Sequence, residues 1–331
     1  MKAILLTRTG GPEALTYVEV PTPRPRENEV LVKADTIGVS RPEILVRTGT
    51  YAWMPPLPAI PGIEMAGTVV ERGAAVRDVA IGEKVFVSAR ELPQRAGCYA
   101  EYIAVPGKAL FRLPPEVDLE AAACLSNYQV AYHVLHTAAR CMPGGWAVVD
   151  AAAGGVGSAA VELAKAAGMR VIGLVGSPAK RAAIIAFGAD HAVDTAGEDV
   201  VSRVMEITGG HGGDLVLDSV GGKDFARNFA MLAPFGTVVS YGKFQGNPPE
   251  TLVADMGKTY FTRSPALRFF TMHTLDDRPD IRARATQDLI ARLAAGAIRP
   301  LIHARLPLAE AATAHRMLEA REVIGKVLLK P

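Results

Sequence analysis

The stretch that most constrains this chain runs from Trp146 to Lys180, WAVVDAAAGGVGSAAVELAKAAGMRVIGLVGSPAK. An apolar run (Ala147, Val148, Val149) meets small residues and then Gly154, Gly155, Val156 and Gly157. A helical pattern follows, stops at Gly168 and gives way to a second apolar run from Val171 to Val175. Strand, glycine turn, helix and strand within about 30 residues is the βαβ unit that holds a dinucleotide in a doubly wound parallel sheet. Gly154 lets backbone approach a pyrophosphate and Gly157 lets the helix lie against the strand, so phosphates would meet free N–H groups at the positive end of the helix. Ala152 stands where the strict fingerprint has its first glycine, so the flanking strands carry as much of the assignment as the glycines do.

The end of the second strand decides which cofactor is expected. A site for NAD usually has an Asp or Glu there, holding the ribose 2′-hydroxyl. Here Val175 is followed by Gly176, Ser177, Lys180 and Arg181. With Ser177 as N-cap and Pro178 as first helical residue, both cations fall in the first turn, where the helix dipole disfavours them. Cations in that place point to a bound anion, the 2′-phosphate of NADPH; the competing reading is a solvated basic face.

A chain of 331 residues suits two domains. With 49% apolar residues it can bury a sizeable core, and a net charge of +2 without blocks of like charge argues against a nucleic-acid partner. The start, MKAILLTRTGG, has too short an apolar run for a secretory signal, and no stretch reaches the roughly 18 apolar residues of a membrane span. A cytoplasmic location is expected. Cys98, Cys124 and Cys141 lack ligand spacing, so neither a disulfide framework nor a metal is expected.

Along the chain, period-2 and β-branched segments (YVEV, EVLVKADTIGV, IEMAGTVVERG, YAEYIAV) predict a β-rich domain over residues 1–122. Helices over Leu119 to Leu135 lead into an α/β domain over 123–265. Its strands fall at Trp146, Val171, Ala192, Leu215 to Ser219 and Thr237 to Tyr241, with helices at Pro178 to Phe187, Glu198 to Thr208 and Lys223 to Leu232. Residues 266–331 carry two more helices (Ile281 to Ala295, Leu308 to Ala320) and a last strand, GKVLLK, that returns to the first domain.

Five segments, GVSRPEILVRTGTY (38–51), IPGIEMAGTVVERG (60–73), AAAGGVGSAAVELAK (151–165), KTYFTRSPAL (258–267) and the terminal IGKVLLKP, resemble the medium-chain dehydrogenase/reductase superfamily. The likeness is to its zinc-free quinone oxidoreductases of the zeta-crystallin type, and NYQVAY (127–132) is similar to the vesicle amine transport branch. The resemblance implies a Rossmann domain joined to a GroES-like substrate domain, with substrate in the cleft between them. It also implies a homodimer, formed by pairing of Thr237 to Tyr241 across a two-fold axis.

Carried over by position, the resemblance implies that Gly154, Gly155, Val156 and Gly157 hold the pyrophosphate. Gly176, Ser177, Lys180 and Arg321 would surround the adenosine ribose and its 2′-phosphate, and Thr195, Ser219, Gly242 and Lys243 complete the cofactor set. Where zinc-dependent relatives place their metal ligands, this chain has Ser40, Ile63 and Ser126, so no metal is expected. Where the family has Asn, Tyr and Thr beside the nicotinamide, it has Ser40, Leu45 and Val130.

The remaining polar candidates for the acceptor site are Ser40, Tyr51 and Asn127, with Glu64 either lining the cleft or serving as a structural partner. Tyr128 is a stacking platform, and Leu45, Trp53, Ile63 and Phe261 are apolar neighbours for a flat acceptor. His133 and His136, three apart on a helix, could be paired ligands but lack a third; packing is the simpler role. The expected chemistry is hydride transfer from NADPH to a quinone. Two alternatives stay open: a reductase of conjugated double bonds (enone, alkenal or enoyl thioester), and an NADPH-binding structural or regulatory protein.

Overall fold

The computed structural model describes residues 1–331 and turns the alternating segments into fifteen strands. They are β1 (Lys2–Leu6), β2 (Leu15–Glu19), β3 (Glu29–Val39), β4 (Glu64–Arg72), β5 (Lys84–Ser88), β6 (Tyr102–Pro106), β7 (Leu110–Arg112), β8 (Trp146–Val149), β9 (Arg170–Val175), β10 (His191–Asp194), β11 (Gly213–Asp218), β12 (Leu232–Ser240), β13 (Ala266–Phe269), β14 (Ile302–Pro307) and β15 (Lys326–Lys330). They belong to two units, Met1–Ser126 with Thr286–Pro331, and Asn127–Ala285.

In the first unit a sheet runs β14-β15-β3-β4-β5-β7, with β6 also paired to β3, and β1 and β2 form a separate antiparallel pair. Alternation puts Val30, Val32, Ile37 and Val39 of β3 into one core with Met65 and Val69 of β4, Val85 and Val87 of β5, and Val327 and Leu329 of β15. Each such side chain contributes about 1.5–3 kcal/mol by leaving water. Register then does something the core does not require. β15 pairs antiparallel with β3 so that Val327 faces Val39, and β3 pairs with β4 so that Ile37 faces Met65. Lys326, Ser40 and Glu64 therefore sit at the same end of three adjacent strands.

The second unit holds six parallel strands in the order β10-β9-β8-β11-β12-β13. Numbered from its first strand this is 3-2-1-4-5-6, the doubly wound order whose switch point lies between β8 and β11 at the carboxyl ends. Val148, Ile172, Val193, Val216 and Val238 form the interior of the sheet.

Two expectations are corrected by this topology. The parallel sheet does not end at residue 265: Ala266–Phe269 is its sixth strand, and the unit continues to Ala285. An edge strand with three of its four side chains exposed has no buried apolar run to announce it. Second, Thr237 to Tyr241 cannot pair across a two-fold axis, because β12 is hydrogen-bonded to β11 on one side and β13 on the other. The helix expected over Lys223 to Leu232 shrinks to Arg227–Ala230. No helix is long and apolar enough to cross a membrane.

Candidate functional site

The residues of the second unit expected to bind cofactor all follow carboxyl ends of its strands. After β8 the backbone turns through Ala151, held left-handed at φ 51°, and Gly154 donates its N–H to the Ala151 carbonyl at 2.9 Å. The helix Gly155–Ala166 starts there with Gly154 as N-cap. Its first i→i−4 hydrogen bond runs from Ser158 to Gly154, so the N–H groups of Gly155, Val156 and Gly157 have no acceptor within the helix. Free N–H groups at a helix start are what an anion site needs. A Cβ on Gly157 would lie 2.2 Å from the Ala151 carbonyl oxygen, which is why only glycine lets the helix pack this close.

At the end of β9, Ser177 caps the helix Pro178–Ala186 by accepting the Lys180 N–H at 3.4 Å. The pair of cations expected beyond it divides. Arg181 is engaged by Glu198 at 3.1 Å, while Lys180 lies half-buried in the first turn of that helix. Thr195 closes β10, its N–H bonded to Val175 O. Ser219 and Gly242 follow β11 and β12, and a Cβ on Gly242 would meet Ser219 O at 2.5 Å, so the two loops touch through backbone. Lys243 continues the second of these loops. Arg321 belongs to the first unit, in a left-handed turn at φ 57°.

Sequence reasoning missed two carboxylates beneath this crevice. Asp150, the first residue after β8, accepts the Ala151 N–H at 2.8 Å and pairs with Arg227 at 2.9 Å. Asp218, the last residue of β11, accepts from the Gly221 N–H at 2.9 Å and the Asn228 side chain at 3.0 Å. Both are buried, and burial pushes the Asp218 carboxyl above the ordinary range. Each ties the loop leaving a central strand. An Asp ending an apolar strand on either side of the switch point was the available signal.

In the first unit the shared strand ends build a charged cluster. Ser40 caps the helix Arg41–Thr48, and its N–H donates to Glu43 Oε2 at 3.2 Å. Lys326 Nζ donates both to Ser40 Oγ and to Glu64 Oε1, and the second oxygen of Glu64 accepts the Ser126 N–H at 2.9 Å. Glu43 accepts the Ile63 N–H at 3.2 Å. A Cβ on Gly38 would meet Ala123 O at 2.4 Å and Glu64 Cγ at 2.7 Å, so that glycine makes room for the Glu64 side chain. Relative exposure is 0% for Glu43 and Glu64, 2% for Lys326 and 8% for Ser40. Burial, helped by the Glu64 charge and opposed by Lys326, pushes the Glu43 carboxyl up to about 8.

The other acceptor-side candidates separate. Glu64 is a structural partner, fully buried against Lys326. Tyr51 is half-buried with its ring 5.9 Å from Trp53, and Asn127 is buried at the start of the second unit. Tyr128 is no stacking platform: it is 2% exposed, and its hydroxyl donates to Glu162 at 2.6 Å. Phe261 is 77% exposed and precedes the amino end of β13, whereas the crevice of a doubly wound sheet lies at carboxyl ends. His133 is buried with Nδ1 2.9 Å from the Thr137 hydroxyl, and His136 packs edge-on against Tyr132.

Comparison with known proteins agrees with both halves. The profile described as "Alcohol dehydrogenase GroES-like domain" matches residues 26–115, and "Zinc-binding dehydrogenase" matches 155–285. The Pseudomonas aeruginosa protein named quinone oxidoreductase is 33% identical over 100% of this chain and 99% of its own length. The chain belongs to the medium-chain dehydrogenase/reductase superfamily, in its quinone oxidoreductase type. The rat synaptic vesicle membrane protein VAT-1 homolog is 31% identical over 100% of this chain and 84% of its own. The crystal structure of Escherichia coli quinone oxidoreductase complexed with NADPH superposes with a TM-score of 0.88, at 29% identity, over 100% of both chains.

One profile's description raises the question of zinc for this dehydrogenase/reductase. Ser40, Ile63 and Ser126 offer no thiolate, imidazole or carboxylate, and no three His, Cys, Asp or Glu side chains converge anywhere in the chain. The Lys326 ammonium already occupies both Ser40 Oγ and Glu64. These residues do not fit a zinc ion.

Proposed function

We propose that this oxidoreductase reduces quinones with NADPH and without zinc. The observation that carries the cofactor is the end of β9: a helix-capping serine, Lys180 in the first turn and no carboxylate for a ribose 2′-hydroxyl. The Escherichia coli neighbour, which holds NADPH, and the Pseudomonas relative, named for quinones, support the reading. When bound, NADPH supplies a hydride. The N–H groups of Gly155, Val156 and Gly157 hold its pyrophosphate, Lys180 and Arg321 its 2′-phosphate, and Gly176, Ser177, Thr195, Ser219, Gly242 and Lys243 line the rest of its path. A quinone suits a site without a Lewis acid because it is already electrophilic, and Ser40, Tyr51 and Asn127 are the polar side chains offered to it.

The test is NADPH consumption against a benzoquinone, phenanthrenequinone, an alkenal and a crotonyl thioester. Turnover of the quinones is expected. Turnover of only the last two would make the protein a double-bond reductase, and binding of NADPH without any turnover would make it a binding protein.

The active form is a homodimer joined at the free edge of β13. That edge carries exposed Phe269, and beside it exposed Val253 and Phe261 line an apolar depression of about 440 Å³ together with Met256, Pro265 and Leu267. Phe269→Asp should yield monomers in analytical ultracentrifugation. A wild-type protein that sediments as a monomer would remove the proposal.

A further inference from the structure

We propose that Asp218 is a positioning residue for hydride transfer: through the loop after β11 it fixes a platform that holds the nicotinamide half of NADPH. This rests on the cofactor path proposed above, with the phosphates at the turn after β8. The residues assigned there to the 2′-phosphate end follow β9, on one side of β8, and the strands on the other side are β11 and β12. A dinucleotide laid across the switch point, with its pyrophosphate after β8 and its adenosine toward β9, has its second nucleoside at the ends of β11 and β12.

Those two ends are built as one piece. The loops after β11 and β12 are joined backbone to backbone in both directions. Gln245 N–H donates to Val220 O at 2.8 Å and Phe244 N–H to Ser219 O at 3.3 Å, while Gly222 N–H returns to Gly246 O at 3.0 Å. Gly221 is left-handed at φ 66°, and a Cβ there would lie 2.4 Å from Gly246 O, so the loops meet at a glycine. Asp218 anchors the pair from below. It is the last residue of β11 and is buried; its Oδ1 accepts the Gly221 N–H at 2.9 Å, and its Oδ2 accepts the Asn228 side-chain amide at 3.0 Å. One carboxylate therefore ties the middle of the loop both to the strand it leaves and to the helix that follows it.

The chemistry of the pair explains the residue types. A carboxylate accepts at both oxygens and so can take a donor from each side. An amide in its place would accept on one side only and would set its NH₂ against the NH₂ of buried Asn228. Exchanging the two residues restores the match, since the amide oxygen can take Gly221 and its NH₂ can face the relocated carboxylate. Buried beneath the loop, Asp218 acts through backbone and not on the reacting atoms.

The experiment compares Asp218→Asn, the exchange Asp218→Asn with Asn228→Asp, and Gly221→Ala, which pushes the loops apart without altering the buried pair. For each, kcat is measured with a benzoquinone, or with an alkenal if the wild type reduces only that, together with the isotope effect of NADPH deuterated at the transferred position. Dissociation constants are measured for NADPH and for 2′-phospho-ADP-ribose, which lacks the nicotinamide. Hydrogen exchange over residues 219–246 is followed without cofactor.

Asp218→Asn should lower kcat about ten- to hundredfold and raise the isotope effect, as misplacement of a reacting group does. Its affinity for 2′-phospho-ADP-ribose should stay within about twofold of wild type, because those contacts lie at β8 and β9. Exchange over 219–222 and 242–246 should quicken about tenfold. The exchanged pair should recover most of the rate and of the protection, and Gly221→Ala should reproduce the slow rate with fragment affinity unchanged.

Wild-type kcat in Asp218→Asn, unchanged exchange, or an equal loss of affinity for both ligands would overturn the inference while the crevice still holds NADPH. If Asp218→Asn does not fold, Gly221→Ala decides, and a wild-type rate there overturns it. A wild-type protein that turns over no acceptor, or whose NADPH affinity Gly157→Ala leaves unchanged, removes the reading above and this inference with it.

Discussion

Around the turn after β8 the chain offers backbone: three N–H groups at a helix start, where a Cβ on Gly157 would lie 2.2 Å from the Ala151 carbonyl oxygen. At the shared end of β15, β3 and β4 it offers buried charge: two carboxylates, an ammonium and a buried hydroxyl. The first arrangement is complete within one short stretch of sequence. The second is assembled from residues 40, 43, 64 and 326, and only pairing of the last strand with β3 brings them together. A row of backbone N–H groups at a helix start needs only a local, rigid turn.

The comparison breaks most visibly if one charge is removed. Lys326→Met strands Glu64 at 0% exposure, and we expect a loss of about 3–5 kcal/mol in stability, read as a fall in Tm. Adding Glu64→Gln should recover most of it. The same substitution at half-exposed Lys180 should cost less than about 0.5 kcal/mol, as is usual for a position on a helix surface. Equal losses at the two lysines would erase the distinction between the halves.

Gly157→Ala attacks the backbone half. Its Cβ would push against Ala151 O and Ala152 Cα, both backbone, so the helix start has to move. NADPH affinity should fall about ten- to hundredfold by fluorescence titration, roughly 1.4–2.7 kcal/mol. Unchanged affinity would mean that the turn does not hold the cofactor. A smaller effect is expected for Lys180→Ala, about tenfold in KM for NADPH with KM for NADH unmoved, because a single charge-assisted contact to phosphate is lost.

The smallest effect is in pH. Glu43 titrates near 4.5 when exposed and near 8 in the fold, so the folded state keeps a proton that the unfolded chain loses, and stability falls as pH rises between those values. His315, 3.2 Å from the Tyr99 hydroxyl, is pushed by burial from 6.5 to about 3, so its contribution is complete above 6.5 and lost as pH falls toward 3. The two oppose each other from 4.5 to 6.5, and stability should be broadest there. Above 6.5 Glu43 acts alone, at up to about 1.4 kcal/mol per pH unit. Glu43→Gln should flatten the fall in Tm between pH 6.5 and 8, and a slope unaltered in that variant would contradict the assignment.

What could be read from the sequence follows the same division. The βαβ unit, the Ser177 cap, the Gly157 packing and the absence of a carboxylate after Val175 are all local patterns, and they were visible. Lys326 was quoted only as part of a terminal strand, because no spacing rule joins residue 326 to residues 40 and 64; an ammonium inside the apolar run GKVLLK was the one available hint. Asp150 and Asp218 were passed over for a similar reason, since their partners Arg227 and Asn228 arrive from a short helix that the pattern made too long. The edge strand β13 escaped because an exposed strand carries little hydrophobic signature. Placing Phe261 beside the acceptor failed on topology, because apolar character does not say which end of a sheet a residue serves.

The most direct test of the whole account is kcat/KM with one benzoquinone for NADPH and for NADH, measured on protein dialysed against a strong chelator. The account predicts a preference for NADPH of at least tenfold and a rate that neither chelation nor added zinc alters. A preference for NADH, or a rate abolished by chelation and restored by zinc, would contradict it.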